Sequence, residues 1–274
     1  MPMCMMAILY QTAQNAPILV AANREERFDR PTQVPKIQSG SPRVVCGIDQ
    51  QGGGTWLGVN QHGLFAAVAN RKKRGVPVNP RSRGLLCREL LEAHTAKQAY
   101  QHALRELETG AYAGANYICA DPASAWVIYG GDEIKAIPLT PGLHLIGNGN
   151  LDDADDPRQE FAMRMLTLHK LDSPVTFLAV ASRAFSRQTD AGGRRGLVIN
   201  RGDYGTVSST LLSLAEKIQQ AVYQYCPGSP SEHSYDDFSA LLRQVLSTDR
   251  SKKQLLEEED FDDYNDYLDY VEES

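Results

Sequence analysis

The chain has no C-x-x-C pair, no apolar run long enough to cross a bilayer, no Gly-x-Gly-x-x-Gly between a strand and a helix, and no internal repeat. Each absence removes a class of function. The five cysteines, Cys4, Cys46, Cys87, Cys119 and Cys226, are odd in number and scattered, which argues against a disulfide framework or a zinc site. Most are expected to be small apolar core residues. A spanning helix needs about 20 apolar residues, and the opening MPMCMMAILYQTAQ lacks the basic flank and long apolar stretch of a secretory leader. The expectation is a cytoplasmic protein without a membrane span. The glycine clusters lack the strand and helix setting of a phosphate cradle, so no cofactor and no metal is expected. Basic residues are not interleaved with aromatics as on nucleic-acid-binding surfaces. Arg71-Lys72-Lys73-Arg74 reads as a solvated loop, and no nucleic-acid partner is expected. Nothing in the sequence fixes an oligomeric state.

What is present is a composition of 274 residues, 42% hydrophobic and 23% charged, ordinary for a soluble globular chain. One large domain over residues 1–250 is expected. The formal charge of −6 misleads, because Glu257 to Ser274 holds ten acidic and no basic residues and the chain before it stands at +4. That density of like charge predicts a tail, residues 251–274, that is disordered or loosely docked. Phe261, Tyr264, Leu268 and Val271 nevertheless recur in it at helical spacing.

Cys4 to Tyr10 and Pro17 to Ala22 are apolar runs that predict a first hairpin. The polar cluster Asn23 to Arg30, closed by Pro31, reads by itself as a solvated loop. Arg43 to Ile48 predicts a strand. Gly53 to Asn70, GGTWLGVNQHGLFAAVAN, then predicts two buried strands around Gln61-His62-Gly63, delivering Asn70 where apolar strand passes into solvent. Ser82 and Thr95 are N-cap candidates for two consecutive helices. Tyr117 to Ala120, Trp126 to Tyr129, Ile134 to Leu139 and Leu143 to Ile146 return to strand patterning, the last leading into Gly147-Asn148-Gly149-Asn150. Asp156-Pro157 and Ser173-Pro174 open a second helix pair. Gln188 to Gly196 reads as a loop. Val198 to Arg201, Tyr204 to Leu214 and Ile218 to Tyr225 read as strands, and Ser234 caps a last helix over Tyr235 to Leu246. Strands and helices arriving in separate blocks favour an α+β fold, two stacked, mostly antiparallel sheets between helix layers, a four-layer αββα sandwich.

Several separated blocks carry a family likeness: Ala21-Ala22-Asn23-Arg24-Glu25-Glu26, Arg30-Pro31, Gly53-Gly54-Thr55-Trp56-Leu57-Gly58-Val59-Asn60, Ser82-Arg83-Gly84, and Tyr204-Gly205-Thr206-Val207-Ser208-Ser209-Thr210. In this order they resemble the NRDE family, named for Asn-Arg-Asp-Glu, which contains the transport and Golgi organisation protein 2 homologues. The likeness spans roughly Cys4 to Tyr225 and implies an N-terminal-nucleophile (Ntn) hydrolase-like fold. In related acylases an early cysteine is the nucleophile and its own α-amine the base, since such an amine titrates near pH 8. Carried onto this chain, Cys4 matches the nucleophile and Arg24 the arginine that supports a thiolate. Glu25 stands where the family has aspartate, and Asn70 and Asn148 resemble the two oxyanion donors. Tyr204 to Thr210 reads as structural. The implied partner is a small amide or thioester, met by an amidohydrolase or acyltransferase. The alternative is a non-catalytic binder of an acyl-chain, acyl-CoA or haem-like ligand. An amine base requires Cys4 to be residue one, so translation from Met3 and removal of that methionine are expected.

Overall fold

The computed structural model describes residues 4–189 and 195–248; the expectations for Met1 to Met3 and for the acidic tail lie outside them. Strands β1 (Met5–Ala13) and β2 (Ala16–Arg27) form the first hairpin, followed by β3 (Thr32–Gln38), β4 (Val44–Asp49), β5 (Leu57–Asn60) and β6 (Phe65–Asn70). Helices α1 (Arg83–Leu90) and α2 (Ala96–Glu108) precede β7 (Ala115–Ala120), β8 (Ala125–Gly130), β9 (Ile134–Pro138) and β10 (Gly142–Ile146). Helices α3 (Pro157–Thr167) and α4 (Pro174–Phe185) then lead to β11 (Asn200–Arg201), β12 (Tyr204–Leu214), β13 (Val222–Cys226) and β14 (Asp236–Asp237). Residues 239–248 are helical.

One sheet runs β10-β1-β2-β12-β13-β14, with β11 on β12; the other runs β3 to β9 in sequence order. All pairings between these strands are antiparallel. Side chains alternate across a strand, so each sheet has two apolar faces. Met6, Ile8, Tyr10, Val20 and Ala22 face Val59, Phe65, Ala67, Ile118 and Val127 between the sheets. Met5, Ala7, Leu9, Leu19 and Ala21 pack on α3 and α4 through Phe161, Phe177 and Phe185. Cys46, Ala66, Tyr117 and Cys119 meet α1 and α2 through Leu86, Leu90, Ala99 and Ala103. The result is the expected αββα sandwich. Cys46, Cys87, Cys119 and Cys226 are buried free thiols.

Local chemistry accounts for the boundaries. Ser82, Thr95, Asp156 and Ser173 accept backbone N–H bonds at the starts of α1, α2, α3 and α4, which satisfies donors that a helix leaves open. In the β5–β6 hairpin, Asn60 Oδ1 accepts from His62 and Leu64 N–H at 2.9 and 3.1 Å, and Gly63 supplies φ +79°.

Four expectations change. Ile218 to Tyr225 is not one strand: Ile218–Gln220 form a 3-10 turn and β13 starts at Val222. The Asn23 to Arg30 cluster is a loop only over Phe28 to Arg30: β2 continues to Arg27, and Asn23, Arg24 and Glu25 are buried. The strand β3, which carries no apolar alternation, is absent from the sequence reading because Pro35 interrupts it. It lies at a sheet edge with its register shifted between Gln33 and Lys36, where a missing N–H is tolerated. The last helix begins later than Tyr235, because Asp236–Asp237 pair with β13 and the Asp237 carboxylate caps Ser239 N–H at 2.9 Å. Among the described residues no helix is long and apolar enough to cross a membrane.

His144 fastens the end of β10. Its Nδ1 lies 2.7 Å from the Asp152 carboxylate and its Nε2 2.8 Å from the Thr140 carbonyl. Two acceptors require both ring nitrogens to be protonated. The Asp152 hydrogen bond raises the His144 pKa against the opposing effect of burial, helped by the Thr140 carbonyl. A raised folded pKa contributes stability in full below the unfolded value near 6.5 and loses it as pH rises through the folded value. Replacing His144 by Gln is therefore expected to destabilise the protein at pH 6 and to do so progressively less in alkali. Urea unfolding of both proteins across pH measures this, and a penalty independent of pH would contradict it.

Candidate active-site cleft at Cys4

Cys4 stands immediately before β1. The register Met5 opposite Asn23 puts it beside Arg24, and its Sγ lies 4.0 Å from the Glu25 carbonyl oxygen. Strand alternation divides the polar end of β2. Asn23 and Glu25 turn to the helix layer, whereas Arg24 and Glu26 turn to the space between sheets. There a cleft of about 330 Å³ is lined by Cys4, Arg24, Glu25, Glu26 and Asn70. Its far wall is Thr55-Trp56 with Ser82-Arg83-Gly84.

The far wall explains two glycines of the family-like blocks. Thr55 N–H donates to the Gly84 carbonyl at 3.0 Å, and a Cβ on Gly54 would come within 2.0 Å of the Gly84 backbone. No side chain fits between these segments. Trp56, so placed, carries the Arg24 guanidinium 4.4 Å from its ring centre, a contact worth about 0.5–2 kcal/mol. The rim is fixed by Arg30, which donates to Asp49 at 2.6 to 3.1 Å and lies 3.8 Å from Glu26.

On the other side of β2, Asn23 Nδ2 donates to the carbonyls of Phe185 and Leu197 at 2.9 and 3.1 Å. The Glu25 carboxylate, fully buried, accepts from Arg158 of α3 at 3.1 Å, and Arg158 also donates to Leu197 O at 3.0 Å. Burial raises the Glu25 pKa, and Arg158 opposes it. Burial first, and then the negative charge of Glu25, also push the Cys4 thiol well up, outweighing a backbone hydrogen bond at Glu25 and the positive charge of Arg24. A thiol so placed holds its proton at neutral pH.

Of the five residues singled out by sequence, Cys4, Arg24 and Asn70 meet at the cleft. Glu25 reaches its wall, but its carboxylate is engaged with Arg158. Asn148 is not among the lining residues. Its loop abuts the nucleophile candidate, because a Cβ on the preceding Gly147 would lie 3.2 Å from the Cys4 carbonyl oxygen. That loop is clamped from the other sheet: Asn116 Nδ2 donates to Gly147 O at 2.8 Å and Gly149 O at 2.9 Å, and Arg71 donates to Gly149 O at 2.6 Å and to Asn150 Oδ1 at 2.8 Å. Arg71 also lies over the Tyr129 ring at 4.0 Å. The reading of Arg71 to Arg74 as a solvated loop is thus corrected for Arg71, a tie between the sheets, and for Lys73, whose Nζ donates to Tyr112 O at 3.0 Å. Sequence reasoning missed Arg71, Asn116 and Arg158. No motif marks them, and only the Asp156-Pro157 helix start placed Arg158 at the head of α3.

A model of the family described as Transport and Golgi organisation 2 matches residues 3–224. The chain belongs to that family. It is 30% identical over 143 residues to the human Transport and Golgi organization protein 2 homolog, covering 49% of this chain and 51% of that protein. The mouse homolog is 30% identical over 145 residues with the same coverage. The chain thus spans about half the length of the curated relatives it matches. Among solved structures it is similar to a mutant of conjugated bile acid hydrolase from Clostridium perfringens, with a TM-score of 0.50, 11% identity and coverage of 88% of this chain and 93% of that one. A second variant of that hydrolase gives 0.51, 10%, 86% and 93%. At such identity the likeness concerns the fold, which is that of the Ntn hydrolases.

Removing one partner of a buried ion pair strands the other charge, at a cost of about 3–5 kcal/mol, whereas replacing both can be nearly neutral. Arg158→Met is expected to destabilise by that amount and Glu25→Gln with Arg158→Met to recover most of it in urea unfolding. Additive penalties would show that the two side chains do not act as a pair.

Proposed function

We propose that the protein is a cysteine amidohydrolase or acyltransferase of the Ntn type, acting on a small amide or thioester. The observation that carries this is the meeting of Cys4, Arg24 and Asn70 at one cleft, with the Asn148 loop against Cys4. The half-buried thiol needs a base, and neither Glu25, engaged with Arg158, nor Arg24 supplies one. The α-amine of Cys4 does so once residues 1–3 are removed. The amine takes the thiol proton, and sulfur bonds to the substrate carbonyl carbon. The carbonyl oxygen becomes an oxyanion that the Asn70 and Asn148 amides stabilise by N–H donation. Collapse breaks the bond to the amine or thiol leaving group, which takes the proton from the α-ammonium. Water or another acceptor then repeats the sequence on the Cys4 thioester. Arg24 lends charge to the thiolate. We assign residues 1–250 to this domain and leave 251–274 as an appendage, in a cytoplasmic setting where thiols stay reduced.

A second reading, a non-catalytic binder of an acyl-chain, acyl-CoA or haem-like ligand, draws on the raised thiol pKa, which leaves Cys4 inert while its amine is masked. The cleft at about 330 Å³ and its charged lining favour a small polar substrate instead. A panel of acyl amides and acyl thioesters is the test, using protein whose residue one is Cys4. Turnover is expected, lost in Cys4→Ser and reduced about 10²–10³-fold in Asn70→Ala, the usual cost of an oxyanion donor. Equal, background-level signal from wild type and Cys4→Ser would end the catalytic reading.

A further inference from the structure

Arg24 is only 8% exposed, and burial of a charge is costly unless something pairs with it. The other charged side chains at the cleft, Arg83 apart, have charged partners. Arg30 is held by Asp49 and Glu26, Arg81 by Glu106 and Glu89, and Glu25 by Arg158. For Arg24, among the described residues, the direct contact is the Trp56 ring beneath its face; its charge also acts on Asp49 and Cys4, but no carboxylate or carbonyl meets its N–H donors. The Cys4 thiol, its neighbour, turns to the Glu25 carbonyl rather than to Arg24. Charge acts on a thiolate without direction, but N–H donors act along their bonds, so support of Cys4 leaves the guanidinium edge unused.

Across the same cleft is the start of α1. Ser82 caps Leu85 N–H, and the first turn contains no acidic residue, so the positive end of the helix is not complemented from within. Ser82, Arg83 and Gly84 all line the cleft. Arg83 donates to the Gly114 carbonyl at 3.2 Å and has no carboxylate partner among the described residues. A buried guanidinium edge that shares a cleft with a helix start and a second arginine is chemistry for an oxyanion.

We propose that the cleft takes a substrate bearing a compact anionic group, a carboxylate, received by the Arg24 edge and by Arg83 with the amino end of α1. The inference rests on the hydrolase reading and narrows it to carboxylate-bearing amides or thioesters. The planar fork of Arg24, stacked on Trp56, suits two parallel bonds to a carboxylate. The cleft volume admits a ligand of acyl-amino-acid size.

Titration calorimetry on the full chain carrying Cys4→Ala, which prevents turnover, tests the site. The probes are N-acetylalanine, its neutral amide and inorganic phosphate. Saturable binding of N-acetylalanine, about tenfold or more tighter than its neutral amide, is expected, as is a loss of about tenfold in Arg24→Gln and in Arg83→Gln. Arg24→Lys, which keeps charge but not the fork, falls between wild type and Arg24→Gln. Arg81→Gln, whose parent side chain is already paired twice, leaves binding unchanged. Unfolding temperatures of the variants report whether the fold is intact. Equal affinity for acid and amide, or no effect of Arg24→Gln and Arg83→Gln in folded protein, overturns the proposal. Phosphate bound more tightly than the carboxylate overturns its carboxylate assignment. Anion binding without turnover in protein whose residue one is Cys4 would sink the hydrolase reading and leave the carboxylate site, whereas equal turnover of charged and neutral substrates would do the reverse.

Discussion

The pairing of β2 with β1 on one edge and β12 on the other is the constraint from which the site follows. Both neighbours fix the register of Asn23 to Glu26, with Met5 opposite Asn23, Ser208 opposite Arg24 and Thr206 opposite Glu25. A slip of one residue would exchange the faces of the strand. Asn23 and Glu25 would then enter the cleft, and Arg24 would be forced among the helices. The irregularity in β12 between Thr206 and Ser208 lies beside this point, as bulges commonly do where a strand re-aims side chains.

The two faces do different work with adjacent residues. On the helix side, Asn23, Glu25 and Arg158 form a buried polar layer that ties α3 and the segment at Leu197 to the sheet. On the inner side, Arg24 meets Trp56 and Cys4 in a cleft closed by the contact of Gly54 with Gly84. Glu25 links them electrostatically, since its charge and the burial of Cys4 together keep sulfur protonated. In the proposed function a thiol held in that state awaits a base, and its own α-amine is the group whose proton affinity suits the task. The asparagines come from different sheets. Asn70 ends β6, and the Asn148 loop after β10 is clamped across the sandwich by Asn116 and Arg71, so the cleft depends on how the sheets are stacked.

Much of this was legible in the sequence where local rules dominate. The N-caps Ser82, Thr95, Asp156 and Ser173, the Gln61-His62-Gly63 turn and the block order gave the layers, because each is a short-range effect. The end of β2 was not legible, since Asn23 to Glu26 are polar and strand patterning is read from apolar residues. The burial of Asn23 and Glu25 is compensated by partners more than 100 residues away, the Phe185 and Leu197 carbonyls for Asn23 and Arg158 for Glu25. The strand β3 was hidden by Pro35, and Arg71 by its basic neighbours. Arg24 could be named because a family-like block contains it, Cys4 because it opens the first apolar run, and Asn70 because it stands where apolar strand passes into solvent. Asn116 and Arg158 act through distant backbone and side-chain contacts that leave no periodic trace.

In the proposed function, Cys4 freed as residue one is a nucleophile served by its own amine. Peptide mass spectrometry after brief exposure to an acyl thioester tests it most directly. An acyl group is expected on Cys4 when that residue is terminal, little when Met1 to Met3 remain, and none on the buried Cys46, Cys87, Cys119 and Cys226. Absence of acyl-Cys4 from the freed protein, or equal labelling in both forms, would contradict it.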